Sequence, residues 1–162
     1  MTYFKKRIAT PTGKMTLVAT AESVCALVWD ESELPRMGID KAKAGVDCAP
    51  LAAAEKQLGE YFRGERKRFD LPLEPHGTPF QQSVWAALRK IPFGKTWSYR
   101  DLAHAVGNPG AMRAVGTANG RNPLCIFIPC HRVVRASGEI GGYAGGVERK
   151  IFLLNLEKDL QK

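Results

Sequence analysis

The run Ser98-Tyr99-Arg100-Asp101-Leu102-Ala103-His104-Ala105-Val106-Gly107-Asn108-Pro109-Gly110-Ala111-Met112-Arg113-Ala114-Val115-Gly116-Thr117-Ala118-Asn119 decides the fold. Ser98 is suited to cap a helix beginning at Tyr99. Gly107-Asn108-Pro109-Gly110 supplies a turn, and a second helix is expected from about Ala111 to Asn119. Two short helices around a tight turn read as a helix-turn-helix. The second helix is unusual because Ala111, Ala114, Gly116, Thr117 and Ala118 are all small, with Arg113 the large polar residue of its first half. An ordinary helix is about 10–12 Å across with its side chains, whereas a DNA minor groove is about 6 Å wide. A helix stripped to small residues suits such a groove, and it equally suits close packing against another helix.

Downstream, Ile128-Pro129-Cys130-His131-Arg132-Val133-Val134 carries the chemistry. A thiol beside an imidazole and a guanidinium is in an electropositive setting, which favours the reactive thiolate. Ile126, Phe127 and Ile128 before it, and Val133 and Val134 after it, read as buried strand or core. Pro129 should end the apolar run and leave the thiol at its lip. A buried structural cysteine is the alternative for Cys130 taken alone.

Upstream, residues 3–30 alternate and are rich in β-formers, predicting a three-strand antiparallel meander with turns near Pro11-Thr12-Gly13-Lys14 and Ala21-Glu22-Ser23. Residues 31–50 read as a long polar loop. Leu51, Ala54, Leu58, Tyr61 and Phe62 recur at helical spacing, and Phe69, Leu71 and Leu73 as a short extended piece. Pro72, Pro75, Gly77 and Pro79 form a breaker cluster that places a domain boundary near residue 75. Phe80, Val84, Trp85, Leu88 and Ile91 then mark a further helix.

The 162 residues suit two small domains, 1–75 and 76–162. Residues 1–75 carry a net charge of +1 and residues 76–162 one of +7. A basic second half points to a polyanionic partner. No stretch approaches a membrane span, and no signal peptide is read, which makes a cytoplasmic protein the expectation. Four cysteines (Cys25, Cys48, Cys125, Cys130) without metal-ligand spacing predict reduced thiols and no metal site. Cys125 reads as core and His104 as a surface or packing residue.

The segment Pro129-Cys130-His131-Arg132-Val133 resembles the active-site signature of the O6-alkylguanine-DNA alkyltransferases, the methylated-DNA–protein-cysteine methyltransferases. The likeness runs over about residues 78–158. It includes Ser98-Tyr99, Asn108-Pro109, Arg113-Ala114-Val115-Gly116, Asn122-Pro123 and Gly142-Tyr143-Ala144-Gly145-Gly146. The resemblance implies an α+β fold. A small ribonuclease-H-like antiparallel sheet domain would precede a mostly helical, winged helix-turn-helix domain.

It also implies direct-reversal DNA repair. A stoichiometric transferase acts on double-stranded DNA containing O6-alkylguanine, with O4-alkylthymine left open, as a cytoplasmic monomer needing no cofactor or obligate protein partner. By similarity, Cys130 is the nucleophile, and His131 is its base, acting through a water. Glu157 orients His131, Tyr99 donates a proton toward the guanine ring, and Asn122 supports the active-site turn. The DNA-binding set is Arg113, Ala114, Ala111, Ala118, Ser98 and Tyr99, with Arg113 filling the gap left by the flipped nucleotide. The pocket set is Pro123, Val133, Tyr143, Ala144, Gly145 and Gly146. Ala144 stands where other members can have a serine, which removes one hydroxyl from the pocket.

Two other classes fit parts of the chain. A non-catalytic DNA-binding lesion sensor would use the same helix-turn-helix but has no need of an activated thiol. A cysteine hydrolase would use Cys130 and His131, but adjacent residues usually point apart, and such enzymes draw nucleophile and base from separate segments.

Overall fold

The computed structural model describes residues 1–39 and 41–160. The chain forms two compact units, Met1–His76 and Gly77–Lys162.

In the first unit the meander forms as the alternation predicts. Strands β1 (Phe4–Thr10), β2 (Gly13–Ala19) and β3 (Val24–Val28) pair antiparallel in sequence order. The stretch 31–50 is more structured than a loop. It holds two 3-10 turns, Glu31–Glu33 and Pro35–Met37, and a two-residue strand β4 (Lys43–Ala44). Pairing of β4 parallel to β1 gives the sheet order β3-β2-β1-β4. Its apolar anchors Leu34, Met37 and Ile39 are buried against Val18, Cys25, Ala26 and Val28, so sparse but well-placed side chains order a polar stretch. Helix α1 (Ala49–Phe62) buries Leu51, Ala54, Leu58 and Tyr61, the face that the spacing marked out. Leu73 bridges to Val24 and closes the unit.

In the second unit α2 (Pro79–Leu88) starts with a capping box between Thr78 and Gln81. Gly77 precedes it because a Cβ there would lie 2.4 Å from the Trp85 ring. The short strand β5 (Trp97–Ser98) leads into α3 (Tyr99–Ala105), which Ser98 and Asp101 cap reciprocally. Gly107, at φ 79°, makes the turn into α4 (Met112–Gly120). The buried Trp85 indole N–H donates to the Ala118 carbonyl at 2.9 Å and ties α2 to α4.

Of the two readings of Ile126–Ile128, buried strand or core, the core one holds. These residues are buried, but they fold into a tight reversal in which the Ile128 N–H donates to the Leu124 carbonyl at 2.9 Å. Ile126 adopts φ 74° there, a conformation that costs a β-branched residue about 1–3 kcal/mol. Beyond a 3-10 turn at Cys130–Arg132, β6 (Val133–Val134) pairs parallel with β5. Helix α5 (Val147–Leu160) ends the unit. No helix among the described residues is long and apolar enough to cross a membrane.

Candidate active site

Cys130 opens the 3-10 turn and is 2% exposed. It is therefore set into the unit, deeper than the lip that the sequence suggested. Its N–H donates to the Ile128 carbonyl at 2.8 Å. The same carbonyl accepts from Asn122 Nδ2 at 2.7 Å, while Asn122 Oδ1 accepts the Leu124 N–H at 2.9 Å. Asn122, itself buried, thus braces both ends of the reversal that presents the cysteine.

The 3-10 turn sends His131 and Arg132 toward α5. His131 Nε2 lies 2.6 Å from Glu157 Oε2. Arg132 Nε donates to Glu157 Oε1 at 2.7 Å and Nη2 to Oε2 at 3.1 Å, while Nη1 donates to the Ile91 carbonyl at 2.7 Å. The Gly94 N–H adds a contact to Oε1 at 3.2 Å, and the Phe93 ring lies under the guanidinium with its centroid at 5.7 Å.

Burial alone would raise the Glu157 pKa. The His131 contact and the Arg132 fork overcome it and hold the carboxyl well below its usual range. Burial pushes the imidazole of His131 down, against the pull of Glu157. His131 is therefore neutral at rest. A carboxylate only accepts hydrogen bonds, so the imidazole proton sits on Nε2 and Nδ1 carries a bare lone pair. Nδ1 is buried and has no hydrogen-bond partner among the described residues.

This geometry revises the electropositive argument. Arg132 is spent on Glu157 and Ile91, and His131 is uncharged. The Cys130 thiol is nonetheless shifted down, first by a hydrogen bond from Cys125, against the opposing effect of burial, then by Asn122, Tyr143 and the charge of Lys150.

Sequence reasoning missed Lys150, which is fully buried. Its Nζ donates to the Ile140 carbonyl at 2.6 Å and to the Gly142 carbonyl at 3.0 Å, pinning the loop that leads into Tyr143. Burial lowers its pKa to about 8. The sequence signal for it was a lysine seven residues before Glu157, two turns away on the same helix face.

Tyr99 is half-buried at the start of α3, and burial raises its pKa, with Arg135 opposing and Cys130 adding to the rise. A Cβ at Gly116 would lie 3.7 Å from its ring and one at Gly141 3.4 Å from its hydroxyl. Tyr99 therefore fills the space between α4 and the 141–146 loop. Pro123 and Val133 are buried, Tyr143 and Gly145 are partly exposed, and Ala144 and Gly146 are exposed.

On α4, Met112, Arg113, Ala114 and Thr117 are exposed and Ala111 and Gly116 partly so. Ala118 departs from the expected DNA-binding set. It is 3% exposed and turned into the unit, because its helix position faces α2. The Ser98 hydroxyl is likewise committed to capping α3, where it accepts the Asp101 N–H at 3.0 Å. Elsewhere in the second unit Arg89, Lys90, Lys95, Arg100, Arg121 and Arg135 are exposed, whereas Arg132 and Lys150 are buried and add nothing to the surface field. Among the described residues no group of three or more His, Cys, Asp or Glu side chains is placed to hold a metal ion.

Residues 79–159 match the family model for the 6-O-methylguanine DNA methyltransferase DNA-binding domain, and residues 3–75 the model for its ribonuclease-like domain. A constitutive methylated-DNA–protein-cysteine methyltransferase of Bacillus subtilis is 60% identical over 109 residues, 67% of this chain and 66% of that protein. The Mycobacterium bovis protein of the same name is 54% identical over 112 residues, 69% and 68% of the two chains. The structure of Mycobacterium tuberculosis OGT in complex with DNA superposes with a TM-score of 0.86 at 42% identity, covering 99% of this chain and 94% of that one. With both domain models matched in order and the superposition running through nearly the whole chain, this protein belongs to the 6-O-methylguanine DNA methyltransferase family.

Proposed function

We propose that this chain repairs O6-alkylguanine in double-stranded DNA by a single transfer of the alkyl group to Cys130. One observation carries the assignment of residues. Glu157, fixed by Arg132, dictates the tautomer of His131 and leaves a buried, unpartnered Nδ1 available as a base on the residue next to Cys130. That is the cysteine–histidine–carboxylate logic of nucleophilic catalysis, here directed at an alkyl carbon.

The thiol proton passes through a water to His131 Nδ1. The Cys130 sulfur attacks the alkyl carbon as its bond to O6 breaks. Guanine leaves as an anion and takes a proton from the Tyr99 hydroxyl, whose raised pKa keeps it protonated until then. The thioether product has no activated bond for water to attack, so each molecule acts once. Tyr143 and Gly145 wall the pocket, Pro123 and Val133 line it, and the backbone carbonyls of Cys130 and Val133 read the guanine amine.

The lesion must leave the base stack first, which costs on the order of a few kcal/mol. The small residues at the start of α4, Ala114 exposed and the capping Ala111 partly so, suit a minor groove, and Arg113 extends beside them to fill the space of the flipped nucleotide. The exposed cations of the second unit neutralise phosphates.

Incubation with a duplex containing O6-methylguanine should add the mass of one methyl group to the protein, on Cys130, with no more than one per chain. Sustained turnover, or transfer to another cysteine, would refute the reading. Arg113→Ala should slow repair of the duplex strongly while leaving reaction with free O6-benzylguanine near wild type, because only the duplex requires flipping. Equal losses on both substrates would remove Arg113 from that role.

A further inference from the structure

Cys125 lies five residues before Cys130 and looks in sequence like one more apolar member of a buried run. The reversal at 124–128 changes its position. Phe127 N–H donates to the Cys125 carbonyl at 2.9 Å, Ile128 N–H to Leu124, and Cys125 forms an isolated bridge with Ile128. The chain therefore doubles back immediately before the nucleophile. Cys125 is returned toward it, 5% exposed against 2% for Cys130; its thiol donates to the Asn122 carbonyl at 3.9 Å, and it is the first influence that lowers the Cys130 thiol pKa. Asn122, Tyr143 and the charge of Lys150 also lower the Cys130 thiol pKa.

We propose that Cys125 is a resolving cysteine, so that a hydroperoxide converts the Cys125–Cys130 pair into a reversible disulfide that takes the nucleophile out of service. In the first step the Cys130 thiolate attacks a peroxide oxygen, the O–O bond breaks, and water or an alcohol leaves with a proton. Cys130 is then a sulfenic acid. In the second step the Cys125 sulfur attacks Cys130, the S–O bond breaks, and hydroxide leaves as water with the Cys125 proton. Two thiols are oxidised and one peroxide is reduced. A dithiol reverses the result by exchange.

Burial favours this outcome over its competitors. At 2% exposure Cys130 is shielded from a bulky external thiol, whereas Cys125 is held on the adjoining reversal of the same chain. Without a resolving thiol the sulfenic acid proceeds to sulfinic acid, which is irreversible. The first unit offers no equivalent pair, since burial pushes the Cys25 thiol up to about 11 and leaves it unreactive at neutral pH.

The inference rests on Cys130 being a reactive thiol, as proposed above, but not on its taking an alkyl group, and its test needs no DNA. The full-length chain is treated with equimolar hydrogen peroxide, blocked with iodoacetamide and digested with trypsin. Both cysteines fall in one peptide, Asn122–Arg132. That peptide should lack two hydrogens and take up no blocking group. After dithiothreitol it should take up two, and reaction with O6-benzylguanine should fall and recover in step. Cys125→Ser and Cys125→Ala should instead accumulate oxygen on Cys130 and fail to recover. Oxygen on wild-type Cys130 with Cys125 still blockable would overturn the proposal, as would a link to Cys25 or Cys48, or equal recovery of the variants. A disulfide that forms in a chain unable to accept a methyl group would uphold this proposal and sink the alkyl-transfer reading.

Discussion

Glu157→Gln is expected to cost the second unit about 3–5 kcal/mol, because it leaves a buried guanidinium facing a neutral amide. The surface ion pairs give the contrast. Lys6–Glu55 and Arg63–Glu65 are exposed at both ends, and such pairs contribute little because water screens both charges. Glu157 is 1% exposed and takes two hydrogen bonds from Arg132, one from His131 and one from Gly94. Its loss also frees His131 to change tautomer, so alkyl transfer should fall further than instability explains.

The pH dependence follows the same groups. The folded pKa of Glu157 is depressed, so its contribution is fully present above the unfolded value of about 4.3 and is lost as pH falls toward the folded one. The folded pKa of His131 is also depressed. The unfolded chain therefore binds that proton first, and stability declines as pH drops below about 6.5. Wild type should lose stability in two stages on acidification, and Glu157→Gln should lack the second. Urea midpoints measured across the acid range test this. An unchanged midpoint at neutral pH, or an unchanged acid profile, would mean that the carboxylate does not anchor the site.

The helix-turn-helix was legible because its determinants are local. Ser98 and Asp101 cap one helix and Gly107 turns the chain, and neither depends on distant residues. The meander was legible for a similar reason, since alternation reports one buried face per strand. The reversal before Cys130 was not. Ile126, Phe127 and Ile128 are apolar and β-branched or aromatic, which locally favours a strand. Asn122 overrides that preference with two side-chain hydrogen bonds and holds Ile126 at positive φ. Helix α5 was obscured differently. Its buried face is Lys150, Leu153 and Glu157, while Ile151 and Phe152 are exposed, so charge stands where an apolar stripe is expected. Its role as the support of the site shows only when Glu157 meets Arg132 and Lys150 meets the 140–142 backbone. The family resemblance supplied Glu157 in advance, whereas Lys150 and the second role of Arg132 emerged from the structure.

Asn122→Ala should be the next most damaging change, and by a different route. The side chain is 3% exposed and spans the reversal. Its removal strands the buried Leu124 N–H, at a cost of about 1–3 kcal/mol for one unsatisfied group. The Ile128 carbonyl is partly protected because it still accepts the Cys130 N–H at 2.8 Å. The strained Ile126 then has less to hold it, so the turn can relax toward the extended backbone that its residues prefer. Together these give an expected loss of about 2–4 kcal/mol, read by urea unfolding. Reactivity should suffer more. Asn122 also lowers the Cys130 thiol pKa, so its loss raises that pKa and loosens the turn that places the sulfur. The rate of O6-benzylguanine reaction against pH separates the two effects. A shift of the profile to higher pH with a lower plateau supports both roles. A lower plateau with the profile unmoved leaves only positioning. Wild-type stability together with a wild-type profile would show that the reversal stands without Asn122.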